Sequence, residues 1–182
     1  MKTSIFYLLV IFLSSSLLVQ AQMDGTPFPK LTGETAKDEV ITIPDDTRGK
    51  YTLIGLAHTK KAEDDLNSWL RPVYNTFITK PSGIFAAFGY DVNVYFVPMF
   101  TGIKSAAMKT AKRKAAKKTD PELLPYILFF KGSLNPYEEV LEMNKKSDEP
   151  HFFVLDPNGK IVYATKGKYS DRKMQEVEAA IE

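Results

Sequence analysis

The stretch PHFFVLDPNGKIVYA, residues 150–164, decides the fold of this 182-residue chain. Two apolar runs flank the turn Pro157-Asn158-Gly159, and Asn-Gly between apolar runs is the strongest short-range signal for a β-hairpin. We therefore expect strands over 151–156 and 160–164. Ser170 then caps a last helix, in which Met174, Val177 and Ile181 recur at helical spacing.

Upstream of this hairpin, apolar strands alternate with helical patterns. Thr59 or a neighbour can cap the first helix, in which Pro72 predicts a kink. The expected elements are an edge hairpin (28–33 and 40–44), strands over 51–57, 92–99 and 127–130, and helices over 62–78, 102–118 and 136–143, the last capped by Asn135. Strands separated by helices pair in parallel, and the closing hairpin is antiparallel. The fold class is therefore α/β, with three layers around a mixed sheet.

The first residues have the pattern of a secretory leader. Lys2 is a short positive region, residues 5–13 are nearly all apolar, and Val19-Gln20-Ala21 ends in a small residue. We expect cleavage after Ala21, which leaves residues 22–182 as a single domain. A retained anchor is the alternative, but Ser14, Ser15 and Ser16 interrupt an apolar segment that would need about 20 residues to span a bilayer. The leader predicts a secreted, periplasmic protein without a stable membrane span.

Composition excludes one class of chemistry. The chain has no cysteine, so it has no thiol mechanism of its own and no disulfide to stabilise it in an oxidising compartment. With 24 basic and 22 acidic residues the overall charge is nearly balanced. Packing of the core must therefore hold the fold.

The order of elements resembles the thioredoxin-like superfamily, in particular its exported thiol-disulfide reductases and peroxiredoxin-type proteins. The opening pattern is Phe28-Pro29-Lys30-Leu31-Thr32-Gly33 followed by Gly49-Lys50-Tyr51-Thr52-Leu53-Ile54, and the closing pattern is residues 150–162. The resemblance covers residues 26–182. It implies a thioredoxin-like fold with an N-terminal edge hairpin, a C-terminal β-hairpin and a final helix.

The chain departs from this family at the redox site. The family places its cysteines in the turn between the first core strand and the first helix, where the helix N-terminus favours the thiolate. Here that turn is His58-Thr59-Lys60-Lys61-Ala62-Glu63-Asp64. The segment Glu149-Pro150-His151 falls where the family has its cis-proline loop, so the resemblance implies a cis bond at Pro150.

A weaker resemblance is to the cysteine-poor mitochondrial ATP synthase assembly factors of the same fold. Trp69 and Pro72, the segment 90–94 and the segment 152–156 are similar to their spacing. It implies a binding or assembly role and does not identify a partner. Trp69 itself, at helical spacing with Leu66 and Val73, is expected in the core.

His58 and His151 are the only histidines, and the fold would bring both to one rim. A metal site needs three or four ligands, so Glu63, Asp64 or Glu149 would have to join them. No ligand spacing or nucleophile motif is present, and we expect no metal and no cofactor. Lys60 and Lys61 could bind an anion at the helix start, but the acidic residues that follow occupy the same positive field.

The strongest local charge lies between residues 104 and 118, which contain seven basic residues and no acidic one. Ile103, Ala107, Ala111 and Ala115 recur every four residues, which predicts a helix face on the sheet. The segment lacks the aromatics of nucleic-acid binders, so the open alternatives are a solvated face or a site for an acidic partner. The basic residues are Lys104, Lys109, Lys112, Arg113, Lys114, Lys117 and Lys118.

These patterns lead to a functional hypothesis with two alternatives. The hypothesis is a secreted thioredoxin-fold protein without redox catalysis, which binds or assembles another envelope protein and no nucleic acid. One alternative is an oxidoreductase relative that uses a non-thiol residue or a partner's thiol. The other is an envelope protein that binds polyanions through the basic segment 104–118.

Overall fold

The computed structural model describes residues 23–79 and 89–181, so the expected leader lies outside the described residues. Within them the sheet has seven strands. The strands are β1 (Leu31–Glu34), β2 (Val40–Ile43), β3 (Tyr51–Ala57), β4 (Val92–Thr101), β5 (Phe129–Gly132), β6 (His151–Leu155) and β7 (Ile161–Lys166). The α-helices are α1 (Lys60–Val73), α2 (Met108–Lys118), α3 (Asn135–Leu141) and α4 (Asp171–Ala179).

The sheet is mixed, in the order β2-β1-β5-β4-β3-β6-β7. Its centre is parallel, because β3 pairs with β4 and β4 with β5 through helical crossovers. Both predicted hairpins are present as antiparallel pairs, β1 with β2 and β6 with β7. Gly159 has a φ of +83° in the β6–β7 turn, and a Cβ there would lie 2.4 Å from Cβ of Pro44, so the turn requires glycine.

Helices cover both faces of the sheet, which confirms three layers. On one face α3 contributes Tyr137 and Leu141 to a core that includes Leu31, Leu128 and Phe153. On the other face α1 and α4 contribute Trp69 and Val177 to a core built on Phe152. The expectation for Trp69 is correct: its ring stacks on Phe152 at 4.2 Å, and Nε1 donates to the backbone oxygen of Gly167 at 3.1 Å.

The first helix begins at the predicted cap and changes form near the predicted kink. The Thr59 hydroxyl accepts a hydrogen bond from the Ala62 amide at 3.2 Å. Pro72 has no amide hydrogen to continue the α-helical pattern, and the backbone passes into a π-helical turn over Tyr74–Ile78. The helical region therefore runs from residue 60 to residue 78.

Three local expectations were wrong. Residues Gly102–Ala107 form a 3-10 helix before α2, and this tighter turn leaves Ile103 99% exposed, whereas the four-residue spacing had placed it on the sheet. Asn135 is the first residue of α3 and makes no capping bond. The third core strand is shifted, because Ile127 forms only an isolated bridge to Phe96 and β5 begins at Phe129.

Candidate functional site: the β3–α1 turn and the adjoining groove

The turn between β3 and α1 is internally satisfied. Besides the Thr59 cap, Lys60 Nζ lies 2.7 Å from Asp64 Oδ1 and 3.7 Å from Glu63 Oε2. Ala62 is fully buried, whereas Lys61 is exposed. Burial raises the pKa of the Glu63 carboxyl, although the positive charge of Lys60 opposes this. Acidic residues and the cap thus satisfy the helix start that the family uses to activate a thiolate.

His58, the first residue of this turn after β3, is a buried residue. It is only 6% exposed, and its Nε2 lies 3.3 Å from the backbone oxygen of Lys145 in the loop before β6. Its own carbonyl accepts a hydrogen bond from Lys104 Nζ at 3.4 Å, while Nδ1 is buried without a hydrogen-bond partner. The imidazole therefore joins two loops at the carboxyl end of β3.

His151 lies beside it, as the topology predicted. It is the first residue of β6, opposite Leu56 on β3 and Lys166 on β7. Burial, with smaller contributions from the nearby Lys166 and His58, lowers the pKa of His151 to about 4, so the ring is neutral at pH 7. Its Nε2 is buried without a hydrogen-bond partner. Among residues 23–79 and 89–181 no group of three potential metal ligands is found.

The expected cis bond at Pro150 is wrong. Within the described chain the cis peptide bond is Ile43–Pro44, and the linkage between Glu149 and Pro150 is trans. The Pro150 carbonyl accepts the Gly167 amide at 2.8 Å and leads directly into β6, and the trans form is the ordinary lower-energy state before proline. The side chain of Glu149 faces Lys166, with Oε2 and Nζ 3.9 Å apart.

The seven basic residues of segment 104–118 do not share one surface. Lys112 is only 9% exposed and lies 3.1 Å from Glu34 and 2.5 Å from Asp38. Burial lowers the pKa of Lys112, but hydrogen bonds to these two carboxylates outweigh it and the net pKa is raised. Lys104 reaches the His58 carbonyl. The other five are exposed and make no ion pair with any described residue: Lys109, Arg113, Lys114, Lys117 and Lys118.

A groove between α1 and α2 was missed from the sequence. Its cavity volume is about 440 Å³. The floor comes from β4 and the segment leading into β5, and includes Phe96, Pro98, Phe100, Ile127 and Phe129. One wall of the groove is α1, and the other is α2 with the residue before it. The small residues of this second wall are the signal that could have revealed the groove, because alanines at helical spacing leave space that larger side chains would fill. These are Ala107, Ala111 and Ala115, which face Leu66, Asn67 and Leu70 of α1.

The groove carries charge at its edges. Lys60 and Glu63 line it at the start of α1, and Lys114 and Lys118 line it toward the end of α2. α1 follows β3 and α2 follows β4, and these two strands are parallel, so the two helices run in the same direction. The pair at the start of α1 and the pair toward the end of α2 therefore lie toward opposite ends of the groove. The arrangement can hold an apolar group between two helices with cations at one end.

Comparison with known proteins identifies the fold. No protein-family model matches the sequence, and no curated protein matches it significantly. The thioredoxin domain of a thiol-disulfide oxidoreductase from Bacteroides vulgatus is 23% identical with a TM-score of 0.54, and the match covers 87% of this chain and 98% of that one. A thiol:disulfide interchange protein of the DsbE type from Chlorobium tepidum is 13% identical with a TM-score of 0.57, over 87% and 98% of the two chains.

A third structure, BsSco, belongs to the Sco family of cytochrome c oxidase assembly proteins. It is 13% identical with a TM-score of 0.54, over 87% of this chain and 93% of that one. At these identities the likeness shows the thioredoxin-like fold, which confirms the predicted class in a chain that has no cysteine. In the part of the chain that the structure describes, no helix is long and apolar enough to cross a bilayer.

Proposed function

We propose that this protein is an exported, non-redox member of the thioredoxin-like fold class that acts by binding another envelope protein. The observation that carries the proposal is the β3–α1 turn, where the family's cysteines would lie. Thr59 caps the helix, Lys60 is paired with Asp64, and His58 is packed under Lys145. The turn keeps the architecture of the family site without a group that can exchange disulfides.

An exposed apolar residue beside this turn supports a binding role. Ile103 is 99% exposed, and its neighbour Lys104 contacts the His58 carbonyl. A partner that docks at this rim would bury the Ile103 side chain, and full burial of such a side chain contributes about 1.5–3 kcal/mol. The apolar leader at residues 5–13 supports export, and an exported protein would meet its partner in the envelope.

Catalysis and binding are tested by separate experiments. With glutathione as the reductant, the purified protein should reduce insulin no faster than a blank without protein. Turnover above the blank would overturn the non-redox role and favour the alternative of a non-thiol residue or a partner's thiol.

Binding is tested by capture from envelope extract with Ile103→Ser as bait. We expect this variant to lose the partner that the wild-type protein captures. Val40→Ser is the matched control, because Val40 is also exposed (63%) but lies on the edge strand β2. Equal capture by Ile103→Ser and the wild type would contradict docking at this rim.

The five exposed, unpaired cations of α2 favour a second candidate, polyanion binding. Its test is the salt concentration that elutes the protein from heparin. Lys109→Gln combined with Arg113→Gln should lower it more than Lys61→Gln combined with Lys131→Gln, an equal charge change elsewhere on the surface. Equal elution of the two double variants would remove this candidate.

A further inference from the structure

We propose that the groove between α1 and α2 binds a single-chain anionic amphiphile of the fatty-acid type. Its apolar tail lies on the aromatic floor, and its carboxylate lies beside Lys114 and Lys118. This small-molecule site goes beyond the protein-binding role proposed above. The two proposals can be tested independently, because the groove depends on α2 and its floor, whereas the protein-binding role depends on Ile103 and the absence of a thiol.

The groove is a space that the protein does not fill. It is a surface cleft that is partly open to solvent, with exposed residues along its edges. The cavity volume here is about 440 Å³, within the range of roughly 300–1,000 Å³ typical of small-molecule sites. Ala111 and Ala115 pack against the floor, and they line the cavity together with Leu66 of α1.

Ion pairs fix the positions of the two walls. Near the C-terminal ends of both helices, Arg71 of α1 binds Asp120 at 2.7 Å and also Glu122, both in the segment after α2. On its outer side α2 is fixed to the β1–β2 hairpin by Lys112. Both helices are therefore anchored in the arrangement that leaves the cavity of about 440 Å³ between them.

The floor favours an apolar tail. Phe100, Ile127 and Phe129 form a small core cluster of their own, and the rings of Phe100 and Phe129 stack at 6.4 Å. Phe96 and Pro98 extend this floor along β4. Burial of an alkyl chain on such a surface is favourable, because it removes apolar area from water.

Charge selects the head group and its direction. Lys114 and Lys118 are exposed and make no ion pair with any described residue. At the other end Lys60 is paired with Asp64, and Glu63 contributes a carboxylate that repels an anion. Asp120 and Glu122 follow Lys118, but both are paired with Arg71. A ligand carboxylate is therefore favoured at the Lys114 and Lys118 end, with the tail directed toward Glu63.

Size argues for a small molecule over a partner helix. An α-helix with side chains is about 10 Å in diameter and needs a long open surface. The groove is instead bounded by two helices that already pack on the same sheet face. A flexible alkyl chain fits this space, and the cations at one end match a single anionic head.

The test is calorimetric titration of the protein with sodium dodecanoate below its micelle concentration. Dodecyltrimethylammonium tests the head group and butyrate tests the tail. We expect dodecanoate to bind at least about tenfold more tightly than either, a factor equivalent to about 1.4 kcal/mol. Absence of dodecanoate binding, or equal binding of the cationic amphiphile, would overturn the proposal.

Matched variants locate the site. Ala111→Leu should fill the groove and weaken dodecanoate binding about tenfold or more, whereas Ala116→Leu, exposed on the same helix outside the lining, should not. Lys114→Gln combined with Lys118→Gln should weaken it severalfold, and the equally charged pair Lys109→Gln and Arg113→Gln should not. Equal effects within either pair would overturn the assignment, and these surface lysine variants keep the test valid if Ala111→Leu does not fold. Reduction of insulin by the protein would contradict the non-redox role proposed above, but it would not change the interpretation of dodecanoate binding.

Discussion

His151 should make the protein sensitive to mild acid. The imidazole is 9% exposed at the start of β6, and its pKa is lowered to about 4 by burial, with Lys166 and His58 adding positive charge nearby. In the unfolded chain the pKa of a histidine is about 6.5. Between these values the unfolded state binds more protons, so the free energy of unfolding falls as the pH falls.

The magnitude follows from the difference of the two pKa values. At pH 7 both states are neutral at His151 and the residue contributes almost no pH dependence. Linkage then gives a loss of about 2 kcal/mol at pH 5 and about 3 kcal/mol at pH 4. This is a large part of the stability of a domain, which is about 5–15 kcal/mol.

The assay is urea unfolding of the wild type and His151→Gln at several values between pH 4 and pH 7.5. Glutamine cannot take up the proton, so the wild type should lose about 2 kcal/mol more than the variant between pH 7 and pH 5. Carboxylates elsewhere affect both proteins and cancel in the difference. A pH-independent difference, or a folded-state pKa near 6.5 by NMR titration, would refute the reasoning.

Three further predictions concern stability in urea unfolding at pH 7. Gly55→Ala should cost about 1–3 kcal/mol by overpacking, because a Cβ would lie 2.5 Å from Phe152 Cε1 and 2.8 Å from Leu66 Cδ1; an unchanged midpoint would show that these side chains can move aside. Ser170→Ala should cost about 1 kcal/mol, since its hydroxyl accepts the Lys173 amide at the start of α4, and a neutral result would contradict the cap. Lys112→Met should cost about 1 kcal/mol, whereas Lys114→Met should change stability by less than about 0.5 kcal/mol; similar costs would contradict the inward placement of Lys112.

Features set by a few neighbouring residues were predictable. The Asn158-Gly159 turn forms the β6–β7 hairpin, and Thr59 and Ser170 cap their helices. Each depends on backbone geometry within about four residues, which the local sequence determines. The absence of a thiol at the β3–α1 turn could also be read directly, because it needs only the alignment of one strand end and one helix start.

Side-chain placement across the fold depended on tertiary contacts. Spacing alone placed Ile103 on the sheet and Lys112 among solvated cations, but the 3-10 helix before α2 leaves Ile103 exposed, and the β1–β2 hairpin brings Glu34 and Asp38 over Lys112. The trans linkage at Pro150 likewise accompanies a backbone contact with Gly167, which is distant in sequence.

The sequence by itself therefore determined the order of strands and helices, the caps and the loss of thiol chemistry, because these follow from short-range geometry and composition. Only the tertiary structure decided that two helices with a row of alanines between them leave a groove on Phe100 and Phe129. The physical reason is that the size of a groove is set by the side chains and the separation of the elements on its two sides. Its size depends on how far α1 and α2 are held apart, which no single segment specifies.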